Sequence, residues 1–200
     1  MLFNSPIDLN LPDSSIIYYP EFFSLEESDQ YFKSLLDLVE WQQDDITIFG
    51  KTHKQPRLTA LYANNNQPYS YSNITMVSKA FTKELVEIKD RVESIVEANF
   101  TSCLLNLFRD GQDSNGWHAD NEKELGINPI IASVSFGAQR LFKLKHRNDK
   151  TLKKDLILQH GSLLIMSGET QHKWLHHISK TKKEVGKRIN LTFRVIPKKN

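Results

Sequence analysis

The sequence predicts an α+β fold, mainly β, in which two helices support one face of a jelly-roll double sheet. Two observations carry the prediction. In the first half, two segments repeat apolar residues at intervals of three and four, the period of an amphipathic helix. Beyond them the pattern changes to period two, in about eight short runs separated by Gly, Asn, Asp and Pro. Sheets with one apolar face must bury it against helices or a second sheet, and strands following helices in this order give a helix-backed double sheet. Two hundred residues are enough for one domain with a sizeable core, and no repeat, low-complexity tract or Gly/Ser-rich linker divides them.

In chain order, residues 1–14 read as an irregular arm and Ser15-Ile16-Ile17-Tyr18-Tyr19 as a strand. Ser24-Leu25-Glu26-Glu27 is a capping box opening a helix to about Glu40, with Tyr31, Phe32, Leu35, Leu36 and Val39 on its apolar face. Ile46 to Phe49 is a short strand ending in Phe49-Gly50-Lys51. A polar, Pro-containing stretch with aromatics follows, through Arg57, Tyr62, Tyr69 and Tyr71. The second helix is expected from about Ser78 to Ala98, carried by Phe81, Leu85, Ile88, Val92 and Ile95. Strands are expected at 102–108, 116–120, 130–136, 140–145, 155–159, 162–167, 172–177 and 188–195.

Composition narrows the class. Hydrophobic residues at 39% and charged residues at 25% describe a soluble globular protein. No apolar run approaches the roughly 20 residues that span a bilayer, and Met1 to Pro6 lacks the features of a signal peptide. A single cysteine, Cys103, excludes an internal disulfide framework and fits a reducing compartment; its apolar surroundings make it a core residue rather than a nucleophile. An intracellular protein is expected. The net charge of +2 hides an asymmetry: residues 1–138 hold 10 Lys and Arg against 20 Asp and Glu, and residues 139–200 hold 16 against 4. A basic half of this kind fits a polyanionic partner, although solvated lysines on loops give the same count.

Gly116-Trp117-His118-Ala119-Asp120-Asn121-Glu122 places an imidazole and a carboxylate two residues apart, hence on one side of an extended strand. With one distant His, this makes the two-His, one-carboxylate arrangement of non-haem Fe(II) sites. His-x-Asp alone is a common tripeptide, so the rest of the chain must supply the other parts. The last strand supplies anion binders. Arg188, Asn190, Thr192 and Arg194 alternate with Ile189, Leu191, Phe193 and Val195, so the polar four share one face. If the apolar face packs against helices, the polar face lines a cavity where two guanidiniums suit a dicarboxylate or a phosphate. An edge strand with its polar face in water has the same pattern; the His-rich segment just upstream favours a site. The third metal ligand is one of His146, His160, His172, His176 or His177. His172 and His176 share a strand face and are both possible; His177 fits less well.

These residues carry a resemblance. Asn106-Leu107-Phe108-Arg109-Asp110-Gly111, Trp117-His118-Ala119-Asp120-Asn121-Glu122, Ile131-Ala132-Ser133-Val134-Ser135-Phe136-Gly137, His160-Gly161-Ser162-Leu163-Leu164 and Arg188-Ile189-Asn190-Leu191-Thr192-Phe193-Arg194 resemble the AlkB family. These are Fe(II)- and 2-oxoglutarate-dependent dioxygenases that repair alkylated nucleic acids, and the branch most resembled repairs duplex DNA in animals. The match runs in order from about Phe49 to Val195. It implies a double-stranded β-helix core over 100–196, a nucleotide-recognition segment over 46–75, and an N-terminal extension with the first helix over 1–45, all within one domain.

The resemblance also implies roles. His118, Asp120 and His176 hold Fe(II), His176 being chosen because Trp174-Leu175-His176 matches the family's Trp-x-His. Arg188 and Arg194 anchor the carboxylates of 2-oxoglutarate, with Asn106, Asn190 and Thr192 nearby. Phe108 stands where the family commonly has Tyr, so a hydrogen bond worth about 1 kcal/mol to the co-substrate is missing. Phe49 enters the base stack in place of a flipped nucleotide, Tyr69 and Tyr71 line the damaged-base pocket, and Glu122, on the same strand face as Asp120, reads the base. Arg57 and Asn121 are placed with them at the substrate. Without the resemblance, Phe49 reads as a core strand residue and the two tyrosines as loop packing.

The implied reaction uses O2 and 2-oxoglutarate to dealkylate bases such as 1-methyladenine or 3-methylcytosine, releasing succinate and formaldehyde. The implied partner is alkylated DNA, duplex favoured over single strand, met by a monomer with no membrane contact. The compartment is cytoplasmic in a bacterium and nuclear in a eukaryote. Two other readings stand beside it. A dioxygenase of the same fold acting on RNA or another substrate fits the wedge at Phe49 poorly. A non-catalytic nucleic-acid-binding module fits poorly with a complete ligand set and both arginines.

Overall fold

The computed structural model describes residues 5–48, 50–64, 69–71 and 74–196. In chain order its elements are β1 (Ile7–Asp8), β2 (Ser15–Tyr19), α1 (Leu25–Leu38), β3 (Asp45–Ile48), β4 (Lys51–Lys54), β5 (Leu58–Ala63), β6 (Tyr69–Tyr71), β7 (Ile74–Met76) and α2 (Lys83–Glu93). The second half holds β8 (Ser102–Phe108), β9 (Asn115–His118), β10 (Ile131–Gly137), β11 (Arg140–His146), β12 (Lys153–Leu158), β13 (Ser162–Ser167), α3 (Thr170–Lys173), β14 (Trp174–Ile178) and β15 (Arg188–Arg194). Strands β8 to β15 form the jelly roll. One sheet has the order β1-β2-β13-β10-β15-β8-β5, and the facing sheet has the order β12-β11-β14-β9.

The capping box at Ser24 forms as its sequence requires: the Ser24 hydroxyl accepts from the Glu27 N–H at 3.2 Å, and the Glu27 carboxylate accepts from the Ser24 N–H at 2.8 Å. In α2, Leu85, Ile88 and Val92 are fully buried, as their spacing predicts. That helix is shorter than expected because neighbours claim both of its ends. Lys79 is hydrogen-bonded through its backbone to Leu61 and Ala63 of β5, so the chain is still extended there and the helix starts only after the Thr82 cap. At the other end the Glu93 carboxylate accepts from the Phe100 N–H at 2.6 Å and turns the chain toward β8.

Two further stretches differ from expectation. Part of the arm is ordered as β1, paired to β2. The polar stretch after Gly50 is not irregular: β4 closes a hairpin on β3, β6 pairs with β7, and β5 pairs along its whole length with β8. The β5 pairing has a clear cause. All seven residues of β8 are buried, and a buried strand needs hydrogen-bond partners on both sides.

The apolar face of β15 lies where period two puts it. Ile189, Leu191 and Phe193 pack with Leu35 of α1, with Val39 just past its end and with the three buried residues of α2. A second cluster, including Phe108, Phe142, Leu144, Leu164, Met166 and Trp174, fills part of the space between the sheets. Cys103 is fully buried in the helix-side core. No helix among the described residues is long and apolar enough to cross a membrane.

The crossover from β8 to β9 is held by buried polar groups. The Asp113 carboxylate accepts from the Arg109 Nε and N–H, each at 2.8 Å, and from Arg109 Nη2 at 2.9 Å. The buried Arg140 guanidinium caps the same loop, donating to the Asp110 and Asp113 carbonyls and to Ser179 O in the loop before β15. Burial alone would raise the Asp113 pKa, but the hydrogen bonds and charge of Arg109 outweigh it and hold it below the usual carboxylate value. A lowered carboxylate stabilises the fold above its unfolded pKa and loses that contribution as pH falls through its folded value. Asp113→Asn is therefore expected to cost about 2 kcal/mol at neutral pH by urea unfolding, with the gap to the unsubstituted chain closing in acid below the carboxylate range.

Candidate active site

Between the two sheets lies one cavity lined by Asn106 and Phe108 of β8, Asn115 and His118 of β9, Asp120, His176 of β14, and Arg188, Asn190, Thr192 and Arg194 of β15. Register brings them together. His118 sits opposite His176, Phe108 opposite Arg188, and Asn106 opposite Asn190. Asn115 and His118 are three residues apart yet both face inward, because the β9–β14 ladder is irregular between His176 and Ile178 and takes up the extra residue.

The donor atoms of His118, Asp120 and His176 all lie within 4.8 Å of one another. The Gly116 carbonyl accepts from His118 Nδ1 at 2.8 Å, which leaves Nε2 as the inward-facing nitrogen, where Asn115 Nδ2 donates at 3.2 Å. Asp120 does not lie on the strand with His118; β9 ends one residue after Trp117, and Asp120 follows in the turn. Its place is set by contacts from elsewhere. The Asp120 N–H donates to Gln171 Oε1 at 2.9 Å, and its carboxylate accepts from Arg194 Nη2 at 2.6 Å. Segment 172–177 also differs from expectation: His172 belongs to the helical turn α3 and is exposed, while β14 starts at Trp174 and points His176 inward. The choice left open between His172 and His176 therefore falls to His176 by geometry.

Protonation states follow from burial and charge. Burial lowers His118, against the pull of Asp120. Burial, then the neighbouring His118, pushes His176 down to about 3, so both imidazoles are neutral near pH 7. Burial would raise Asp120, but the charge and hydrogen bond of Arg194 outweigh it and keep the carboxylate ionised. Two neutral imidazoles and a carboxylate, deprotonated and converging, are what a non-haem Fe(II) site needs, and the donor set fits that ion.

The other end of the cavity is cationic. Arg188 is 2% exposed; it donates to Ser135 Oγ at 2.9 Å, and its Nε has no hydrogen-bond partner among the described residues. Burial, with the charge of Arg140 added, pushes it down to about 9. Both guanidiniums lie over the Phe108 ring, Arg188 at 5.2 Å and Arg140 at 5.6 Å from its centroid. A buried guanidinium with no carboxylate beside it among the described residues suits an anionic group such as a carboxylate of 2-oxoglutarate. Asn190 and Thr192 continue the polar face: Asn190 Nδ2 donates to Ser133 Oγ at 2.8 Å, and Thr192 Oγ1 donates to Asn190 Oδ1 at 3.1 Å.

The residues expected to meet a substrate are placed less uniformly. Arg57 is buried and donates to Asn106 Oδ1 at 2.7 Å, so it stands behind the cavity wall rather than on an open surface. Asn121 is exposed. Glu122 does not share a strand with His118; it precedes a 3-10 turn, Lys123–Leu125, and the chain bends between them. Its Oε2 is buried without a hydrogen-bond partner among the described residues, and burial raises its pKa. Phe49 lies outside the described residues, and Tyr69 and Tyr71 are described only as the backbone of β6.

Sequence reasoning missed Ser133, Ser135, Asn115 and Gln171. Ser133 and Ser135 alternate with apolar residues in Ile131–Phe136, a period-two signal of the same kind as that of β15. Asn115 and Gln171 left no such signal, because one depends on the strand irregularity and the other on a single helical turn.

The chain belongs to the 2OG-Fe(II) oxygenase superfamily, whose family model matches residues 15–194. It is 40% identical to "Alpha-ketoglutarate-dependent dioxygenase alkB homolog 3" of Bos taurus, over 92% of this chain and 66% of that protein. It is 36% identical to "DNA oxidative demethylase ALKBH2" of Homo sapiens, over 89% of this chain and 72% of the relative. It thus spans just under two thirds of the first of these. Among solved structures, the fold matches OsALKBH1 with a TM-score of 0.65 at 16% identity, covering 90% of this chain and 97% of that one.

Gln171 is fully buried, and its amide oxygen is the group that orients the Asp120 backbone. Gln171→Leu is expected to weaken Mn(II) binding by about tenfold or more in calorimetric titration, with the far-UV circular dichroism unchanged.

Proposed function

We propose that the protein is a DNA oxidative demethylase that removes N-alkyl groups of the 1-methyladenine and 3-methylcytosine type. The observation that carries this reading is a cavity between the sheets that holds three convergent candidate iron donors at one end and, at the other, the Arg188 guanidinium, which has no carboxylate partner among the described residues. The likeness to a protein named as a DNA oxidative demethylase supports the choice of substrate. When bound, iron, 2-oxoglutarate and O2 supply the oxidation of an N-alkyl carbon, which leaves as formaldehyde while the co-substrate leaves as succinate and CO2.

The chain's own residues do the rest. Arg188 and Arg194 receive the carboxylates of 2-oxoglutarate. Asn190 and Thr192 complete a hydrogen-bonded wall, and Arg57 holds the Asn106 side chain in place behind it. Phe108 supplies a ring and no hydroxyl, so the co-substrate is held by charge with one hydrogen bond fewer than a tyrosine would give. Glu122 has the chemistry to read the base. One oxygen of its half-buried carboxylate, Oε2, has no hydrogen-bond partner among the described residues, and a base alkylated at a ring nitrogen is cationic, so the base supplies charge that favours ionised Glu122. The family resemblance gives the remaining roles: Asn121 contacts the substrate, Tyr69 and Tyr71 line the base pocket, and Phe49 fills the gap the base leaves in the stack.

The test is turnover of 2-oxoglutarate with and without methylated duplex DNA. His118→Ala is expected to abolish succinate formation while leaving affinity for DNA nearly unchanged; retained turnover would sink the ligand assignment. Phe49→Ala is expected to lower activity on methylated duplex far more than on the same sequence as a single strand, and equal losses would remove the duplex preference.

A further inference from the structure

The four-stranded sheet has two faces, and the cavity uses one. On β14, Trp174, His176 and Ile178 are buried inward, while Leu175 and His177 point outward. On β11 the outward residues are Leu141, Lys143 and Lys145; register sets Lys143 beside His177 and Lys145 opposite Lys153 of β12. Trp117 of β9 lies on this outer face and is 40% exposed. Its ring is stacked on His177 at 3.8 Å, with the Lys145 ammonium 4.3 Å from the indole centroid. Trp117, His177, Lys143 and Lys145, together with exposed Lys153 and Lys154, line a shallow depression across the sheet.

The contacts of Trp117 with His177 and Lys145, and of Asp155 with Lys143, serve the fold, but the excess of positive charge does not. Lysines directly opposite on neighbouring strands repel each other, as Lys145 and Lys153 do here. Asp155 is the single carboxylate lining the depression against four lysines, and it stands 4.0 Å from Lys143. An indole left two-fifths exposed beside ammonium groups is the combination that holds an unpaired polynucleotide: phosphates neutralise the lysines, and a base stacks where Lys145 now lies. The position is as telling as the charge. β9 is the edge of its sheet, and the residue after Trp117 is His118, which faces the cavity. A strand leaving the cavity has only that edge to round before it meets Trp117.

We propose that the outer face of the four-stranded sheet, centred on Trp117, Lys145 and Lys153, binds an unpaired polynucleotide segment, such as the single-stranded stretch beyond a duplex whose damaged base is held in the cavity. The inference rests on the reading of the cavity as a DNA demethylase site and adds a second contact surface to it.

Two probes separate the surface from the reaction. Anisotropy of a fluorescent, unmodified oligothymidylate across a salt series reads the surface; turnover of a methylated trinucleotide, too short to leave the cavity, reads the site. K145E/K153E is expected to bind the oligothymidylate about tenfold or more weakly, with a shallower salt slope, while trinucleotide turnover is unchanged. Oligothymidylate is expected to quench indole emission in the unsubstituted chain and not in W117F. Unchanged affinity and slope in K145E/K153E overturn the proposal, as does polyglutamate binding as tightly as the oligothymidylate, which assigns the surface to an acidic protein. If no methylated DNA is turned over yet K145E/K153E still loses oligothymidylate, the demethylase reading falls and the surface stands. Should K145E/K153E fail to fold, K145A/K153A removes the same two charges, and the same loss of oligothymidylate affinity is expected of it.

Discussion

A buried carboxylate stays ionised only if a cation meets it, and for Asp120 that cation is Arg194, at 2.6 Å. Both side chains are almost wholly shielded from water. Removing one partner of such a pair costs about 3–5 kcal/mol, because the other is left charged and alone. The pair also joins two parts of the fold. Arg194 ends the last strand of the seven-stranded sheet, and Asp120 follows the edge strand of the four-stranded one. Their contact therefore fixes how the turn carrying one metal donor sits between strands carrying the other two.

Around that pair the cavity is electrically divided. At one end Arg188, its guanidinium 5.2 Å from the Phe108 ring centroid with Arg140 behind that ring at 5.6 Å, has no carboxylate in contact among the described residues. At the other, Asp120 is held ionised and Glu122 is held back from ionising by burial. The two histidines between them stay neutral because the protein removes their water without supplying enough negative charge to compensate. An anion is favoured at the first end and a cation at the second.

Local patterns were legible where neighbouring residues decide the outcome. The Ser24 capping box depends on side chains three residues apart and is present with both of its hydrogen bonds. The alternation of β15 divided its residues between an apolar and a polar face, and Leu191 lies in the helix-side core while Asn190 lines the cavity. Where distant partners decide, the pattern misleads. The chain before Thr82 is extended because β5 claims Lys79, and β5 itself exists because the buried β8 needs a second neighbour. His-x-Asp reads as one strand, yet Asp120 is held in a turn by Gln171 and Arg194, residues 51 and 74 positions away.

By itself, the sequence determined the class of fold, the helix-side core, the polar face of β15 and the small set of residues able to bind iron, since all of these follow from period and side-chain chemistry. Only the tertiary structure decided that His176 rather than His172 points inward, that Asn115 joins His118 across an irregular ladder, and that Glu122 leaves the strand. Each of these turns on a hydrogen bond, a strand register or a buried charge whose partner is far away in the chain. A periodic pattern carries no information about such partners.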